Sequence, residues 1–142
     1  MTAYITLPAY VATVDARYKL IGQKCQDCGE IIFPPRQLCT KCSSSKMKDY
    51  QLSGKGEIYT YTVVARGGGP AEFDDQQNMD GAYAVAVIKL AEGPLIITQF
   101  TDCEPNPENF AIGMPVEAVI RRLYEQEGIT RYCYKFRPIT KS

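Results

Sequence analysis

Through the second half of the chain, apolar and polar residues alternate in short runs. Ile58–Ala65, Ala82–Leu90 and Leu95–Thr101 are rich in β-branched and aromatic residues, and Val116–Tyr124 and Ile129–Phe136 continue the pattern. Runs of this length and composition, bounded by turn residues, predict β-strands. Ala91-Glu-Gly-Pro94 and Glu125-Gln-Glu-Gly128 are short enough for hairpins. Arg66–Gly81, heavy in Gly, Pro and Asp, reads as a long mobile loop, and Pro105–Ile112 allows one helical turn at most. Five strands with a long first connection suit a small closed antiparallel barrel of the OB type, with an open meander as the alternative.

The first half is patterned differently. An extended-looking lead, Met1–Pro8, precedes Tyr10, Val14, Arg17, Tyr18 and Ile21, which recur at helical spacing. A short helix is expected there, burying its apolar face on its own chain or on a partner subunit. Ile31-Ile-Phe33 forms a short strand that Pro34-Pro35 stops, and Ser53-Gly-Lys-Gly56 breaks the pattern before the barrel. The expected organisation is mainly β: an N-terminal extension and helix over 1–24, a small module over 25–53 and the barrel over 54–142.

That small module carries two Cys-x-x-Cys pairs, Cys25/Cys28 and Cys39/Cys42, with ten residues between them. A Cys-x-x-Cys turn aims two thiolates at one point, and two such turns complete the tetrahedral shell of a zinc ion. A disulfide framework is the competing reading, but the first residues lack the basic start and apolar run of a secretory signal. With four cysteine ligands no position is open to water or substrate, so the expected single Zn²⁺ is structural. A module this small has almost no core, so its folding energy comes largely from the metal.

Composition adds constraints. The 142 residues are 45% hydrophobic and 23% charged, an ordinary globular balance. No apolar run reaches the length of a membrane span, and six cysteines suit a reducing compartment, so a cytoplasmic protein is expected. The net charge of zero divides into eight Lys/Arg against four Asp/Glu over residues 1–55 and eight against twelve over residues 56–142. Four thiolates on one zinc ion remove about two of the positive charges from the first part, leaving a weak basic footprint for a nucleic-acid binder. Histidine is absent, and with it the commonest general base.

Other constellations have plain readings. Gly67-Gly-Gly69 lacks the Lys-Ser/Thr and spacing of a phosphate loop. Cys103 and Cys133 lie outside the knuckles; in a regular strand Cys133 sits between Arg131 and Lys135, a setting that lowers a thiol pKa, but no base accompanies either cysteine. Arg121, Arg122, Arg131, Lys135, Arg137 and Lys141 gather in the last strand pair, where they could line an edge suited to phosphates or serve as a solvated exterior.

A family resemblance rests on Arg17-Tyr18-x-Leu20-x-Gly22-x-x-Cys25-x-x-Cys28-Gly29, Phe33-Pro34-Pro35-Arg36-x-x-Cys39-x-x-Cys42 and Gly54-x-Gly56-x-Ile58-x-Thr60-Tyr61-Thr62. Gly93, Gly113-Met114-Pro115-Val116 and Tyr134-Lys135-Phe136-Arg137-Pro138 extend it. From Arg17 onward the chain resembles the acyl-CoA-associated zinc-ribbon/OB-fold family, small subunits that accompany thiolases and related enzymes. Thr40 stands where proline is usual, and Cys133 where a small residue is common.

The resemblance implies a rubredoxin-like zinc ribbon and an OB-fold barrel with no active site of their own. It implies a scaffold that docks on a thiolase-fold catalytic subunit as a hetero-oligomer and helps bind an acyl-CoA thioester shared with that partner. Phe33, Pro34, Pro35, Arg36 and Arg66 are the candidate contacts with partner or acyl-CoA. No membrane association is expected. A zinc-ribbon/OB protein that binds single-stranded nucleic acid is the alternative, weakened by the balanced charge.

Overall fold

A computed structural model describes Pro8, Val11, residues 14–126 and residues 128–139. The expected lead over residues 1–7, Tyr10 and Lys141 lie outside the described residues. The chain forms two compact units that meet in sequence between Leu52 and Ser53.

The first unit holds helix α1 (Val14–Lys19) and strands β1 (Ile21–Cys25), β2 (Ile31–Ile32) and β3 (Met47–Gln51). An exposed Asp15–Lys19 pair, 3.0 Å apart and four residues along the helix, adds a few tenths of a kcal/mol. The helix ends at Leu20, whose φ of 53° is left-handed although it is leucine. Its side chain is buried, and its carbonyl accepts from the Leu52 amide. Ile21, expected on the helical face, therefore opens β1 instead.

The three strands form an antiparallel sheet in the order β2-β1-β3, with Gln23 opposite both Ile32 and Asp49. β1 and β3 were not apparent as strands because Ile21-Gly-Gln-Lys-Cys25 and Met47-Lys-Asp-Tyr-Gln51 lack apolar alternation; backbone pairing orders them.

The second unit is the barrel. β4 (Lys55–Val64), β5 (Tyr83–Leu90), β6 (Leu95–Gln99), β7 (Pro115–Gln126) and β8 (Ile129–Pro138) form one antiparallel sheet in the order β6-β5-β4-β7-β8. Its ends approach where Phe100 bridges Phe136 and the Thr101 amide donates to the Phe136 carbonyl, leaving a nearly closed five-strand barrel. The inward residues Ile58, Ile88, Leu90, Phe100, Val116 and Phe136 are buried and form its core.

β4 pairs with β5 along most of its length but with β7 only at Lys55–Glu57. Gly56 sits at this crossing: a Cβ there would lie 2.5 Å from the Lys89 carbonyl oxygen and 2.9 Å from Ile88 Cγ2. Only glycine lets the strands come so close. Beyond Ala118, whose amide donates to the Gly54 carbonyl, the strand partner of β7 is β8.

The expected mobile loop between β4 and β5 is instead folded. Ala71–Phe73 makes a 3₁₀ turn and Asp74–Asp80 forms helix α2. Gln77, 2% exposed, donates from Nε2 to the Ala65 carbonyl and accepts through Oε1 from the Gly67 amide, closing the segment on itself. Apolar periodicity could not reveal this helix, because a glutamine supplies its buried contact while Met79 is exposed. The Pro105–Ile112 segment contains a single 3₁₀ turn, Pro107–Asn109, with Asn106 accepting from the Glu108 amide at its start.

Candidate metal centre and binding surfaces

Each Cys-x-x-Cys forms the same knuckle. The Cys25 amide donates to the Glu30 carbonyl and the Gly29 amide to the Cys25 carbonyl; likewise Cys39 N–H donates to Ser44 and Ser43 N–H to Cys39. The fourth residue after each leading cysteine is left-handed, Gly29 at φ 75° and Ser43 at φ 58°. Glycine meets that demand freely, whereas serine does so at some strain.

The two knuckles face each other so that all four sulfurs lie within 4.8 Å of one another. Cys25 and Cys42 Sγ are 3.6 Å apart, as are Cys28 and Cys39 Sγ. A tetrahedral zinc with sulfurs at about 2.3 Å has sulfur–sulfur edges of about 3.8 Å. The four cysteines therefore fit one zinc ion of the structural, four-coordinate type.

The electrostatics agree. The Cys28 amide hydrogen bond is the chief cause that brings Cys25 down to about 7, against its own burial. Cys42 is pushed up to about 12: the Ser44 amide lowers it, but the neighbouring thiols of Cys28, Cys25 and Cys39 and its own burial together outweigh that amide. Four thiols this close cannot all ionise unless a cation stands among them. Cys25 and Cys39 are buried, whereas Cys28 and Cys42 are exposed. The Lys41 amide also points at Cys39 Sγ at 3.4 Å.

Phe33, Pro34, Pro35 and Arg36 follow β2 in the ribbon, with Pro34 and Arg36 exposed and Phe33 and Pro35 half-buried. The Phe33–Pro34 peptide is cis, and the Arg36 amide donates to Gln23 Oε1 at 2.9 Å, tying this loop to β1. Leu38, exposed in the same segment, is an apolar residue that the sequence reading had not singled out. Arg66 belongs to the other unit, where its guanidinium donates to Asn78 Oδ1 at 3.2 Å.

In the barrel, the expected cationic edge is largely matched by carboxylates. Arg121 donates to Asp102 at 2.8 Å, Arg137 reaches both Glu117 at 2.8 Å and Asp102 at 3.3 Å, and Arg122 lies 3.6 Å from Glu125. Arg131 stacks over the Tyr124 ring. Asp102 comes from the segment after β6, a partner that strand patterning alone did not suggest. The Arg121 hydrogen bond holds its carboxyl below the usual carboxylate range.

Burial, and then the Asp102 charge, push the Cys103 thiol up, which disfavours a reactive thiolate. Gly69 packs against Tyr83, where a Cβ would lie 2.5 Å from the phenol oxygen. Packing thus accounts for this glycine without a phosphate. Among the described residues, no helix is long and apolar enough to cross a membrane.

Comparison with known proteins follows the same division. Residues 14–48 match the family described as ChsH2, rubredoxin-like zinc ribbon domain, and residues 49–121 match ChsH2, C-terminal OB-fold domain. The chain is 43% identical to a DUF35 domain-containing scaffold protein of Methanocaldococcus jannaschii, over 89% of this chain and 86% of that protein. Its counterpart in Pyrococcus furiosus is 40% identical over 89% and 88%. A benzoylsuccinyl-CoA thiolase subunit, BbsA of Thauera aromatica, is 27% identical over 84% of this chain and 76% of that protein. Among solved structures, a chain of the Ltp2-ChsH2(DUF35) aldolase superposes with a TM-score of 0.66 at 27% identity, covering 97% of this chain and 98% of that one.

Proposed function

The chain belongs to the ChsH2-type zinc-ribbon and OB-fold family, and on that premise we propose that it is a non-catalytic scaffold subunit of a thiolase-type acyl-CoA complex. In this reading it binds a thiolase-fold catalytic subunit as a hetero-oligomer in the cytoplasm and contributes to a shared acyl-CoA site. The observation that carries the reading is that both units together, not one alone, align with DUF35 domain-containing scaffold proteins and with a thiolase subunit.

Chemistry supports it. The metal shell is filled by sulfur, which leaves zinc a bracing role. Histidine is absent, and the Cys103 thiol is raised rather than lowered, so the nucleophile and base of thiolytic chemistry come from the partner. Phe33, Pro34, Pro35 and Arg36, held on a braced loop with Leu38 exposed nearby, form the first contact surface we assign to the partner or the pantetheine arm. Arg66 is the cation we assign to a thioester phosphate. Pairing of Arg121, Arg122 and Arg137 with carboxylates removes the basic stripe that single-strand binding needs.

The test is co-expression of the zinc-loaded chain with thiolase-fold proteins of its own cell, followed by size-exclusion chromatography with light scattering. A stable hetero-oligomer whose acyl-CoA affinity exceeds that of either part is expected. A chain that stays alone and leaves thiolase turnover unchanged would overturn the proposal.

A further inference from the structure

The outer face of the barrel carries an apolar band that stays exposed among the described residues. Ile88 and Leu90 of β5 are buried in the core, so Val87 and Lys89, one step away on the pleat, face outward. Strand pairing carries that face across the sheet. Val87 lies opposite Ile97 of β6 on one side and Thr60 of β4 on the other. The β4–β5 register slips between Ile58 and Thr60, and the extra residue is Tyr59, 57% exposed. Beyond β4, the Gly113 amide donates to the Ile58 carbonyl, which brings Ile112 to the far end of the row. Ile97 and Ile112, its two ends, are 76% and 73% exposed. With strands about 4.8 Å apart, the row spans about 15–20 Å. Exposed apolar residues scattered singly need no explanation, whereas a contiguous band marks an interaction surface.

The adjoining rung indicates what covers it. Leu95, Lys89, Glu57 and Pro115 stand side by side on β6, β5, β4 and β7, and all four are exposed. Their order, apolar, positive, negative, apolar, is its own complement when reversed. A two-fold axis parallel to the strands and passing between β4 and β5 performs that reversal. Lys89 then meets Glu57 of a second copy, Leu95 meets its Pro115, and in the neighbouring row Ile97 meets its Ile112. Neither Lys89 nor Glu57 forms an ion pair among the described residues, so both charges are available across such an axis.

We infer that two copies of this chain associate through this face, stacking sheet on sheet in an isologous dimer. Apolar contacts exclude water from the centre, and two symmetry-related Lys89–Glu57 pairs fix the register beside it. The outer face of a barrel is convex, which limits contact to these two rungs and their margins. The dimer is therefore reversible, with a dissociation constant of about 1–100 μM. It requires no other protein and so is independent of the scaffold reading; where both hold, the hetero-oligomer contains scaffold chains in pairs.

Sedimentation equilibrium of the zinc-loaded full chain from about 1 to 500 μM tests this. The weight-average mass is expected to climb from that of one chain toward that of two. Ile97→Lys and Ile112→Lys should each weaken association at least about tenfold. Both positions are exposed in the single chain, and an unchanged barrel amide spectrum checks that each variant folds. Lys89→Glu and Glu57→Lys should each weaken association too, since each sets like charges against one another across the axis. An equimolar mixture of these two variants restores opposite charges at both contacts and should associate at least about fivefold more tightly than either alone. A mass of one chain at every concentration overturns the inference. So does a dimer that both lysine variants leave intact, or a mixture that associates no better than its components. Protection of β6 and Ile112 from hydrogen exchange only after a thiolase-fold subunit is added overturns it as well, because another protein is then the occupant.

Discussion

The ribbon and the barrel reach order by different physical routes. In the ribbon, the buried apolar side chains of the described residues are Ala16, Leu20, Ile32 and Leu52 besides the ligands Cys25 and Cys39. The barrel buries three phenylalanines, Phe100, Phe110 and Phe136, together with Ile58, Ile88, Leu90 and Val116. Hydrophobic burial at about 25 cal/mol per Å² can hold the second but not the first. The four sulfurs supply what the ribbon lacks, since structural zinc binding is worth about 10–16 kcal/mol in small zinc modules. One unit is therefore sensitive to chelation and thiol loss, and the other to cavities in its core.

Cys39→Ser tests that division most severely. It should lower bound zinc well below one per chain and strip amide protection from β1 and β3, while β4–β8 remain protected; metal analysis and hydrogen exchange read both. If the ribbon keeps its protection without metal, the division is wrong. Phe136→Ala should do the converse, destabilising the barrel by about 3–5 kcal/mol in denaturant unfolding at unchanged zinc content.

Ser43→Gly sharpens the picture within the ribbon. Releasing serine from a left-handed position that Gly29 occupies freely in the other knuckle should raise stability by up to about 1 kcal/mol, seen as slower zinc loss to a chelator. The smallest effect belongs to Asp102. Its folded carboxyl titrates below the unfolded value of about 3.9, so its pairing stabilises fully above that pH and is lost as pH falls through the lower folded value. The Tm difference between wild type and Asp102→Asn should be flat from neutral pH to about 5 and shrink below 4, with a plateau under about 1 kcal/mol because the pair is partly exposed.

The same contrast explains what the sequence disclosed. The metal site was legible because its information is local: two knuckles, each set by a spacing of three residues. Most barrel strands were legible because their inward side chains are apolar at alternate positions, as in Ala84, Ala86, Ile88 and Leu90. β1 and β3 were not, since lysine, glutamine and aspartate interrupt any apolar alternation, and backbone pairing together with the metal knuckle that begins at Cys25 orders them. Nor was α2, where a buried glutamine replaces the apolar stripe. The basic cluster in β7 and β8 was visible, but its neutralisation by Asp102 depends on a segment 19 and 35 residues before the two arginines it pairs with.

Mechanically, the early departure of β7 from β4 makes the β7–β8 hairpin a cantilever. It is clamped at Lys55–Glu57 and Pro115–Glu117, stiffened along its span by its own ladder, and propped at Tyr124 by Phe73. A load applied at its Gly128 tip is resolved into torque at the glycine corner, compression of one aromatic ring, and tension on the Thr98–Tyr134 and Thr101–Phe136 hydrogen bonds that join β6 and the segment after it to β8.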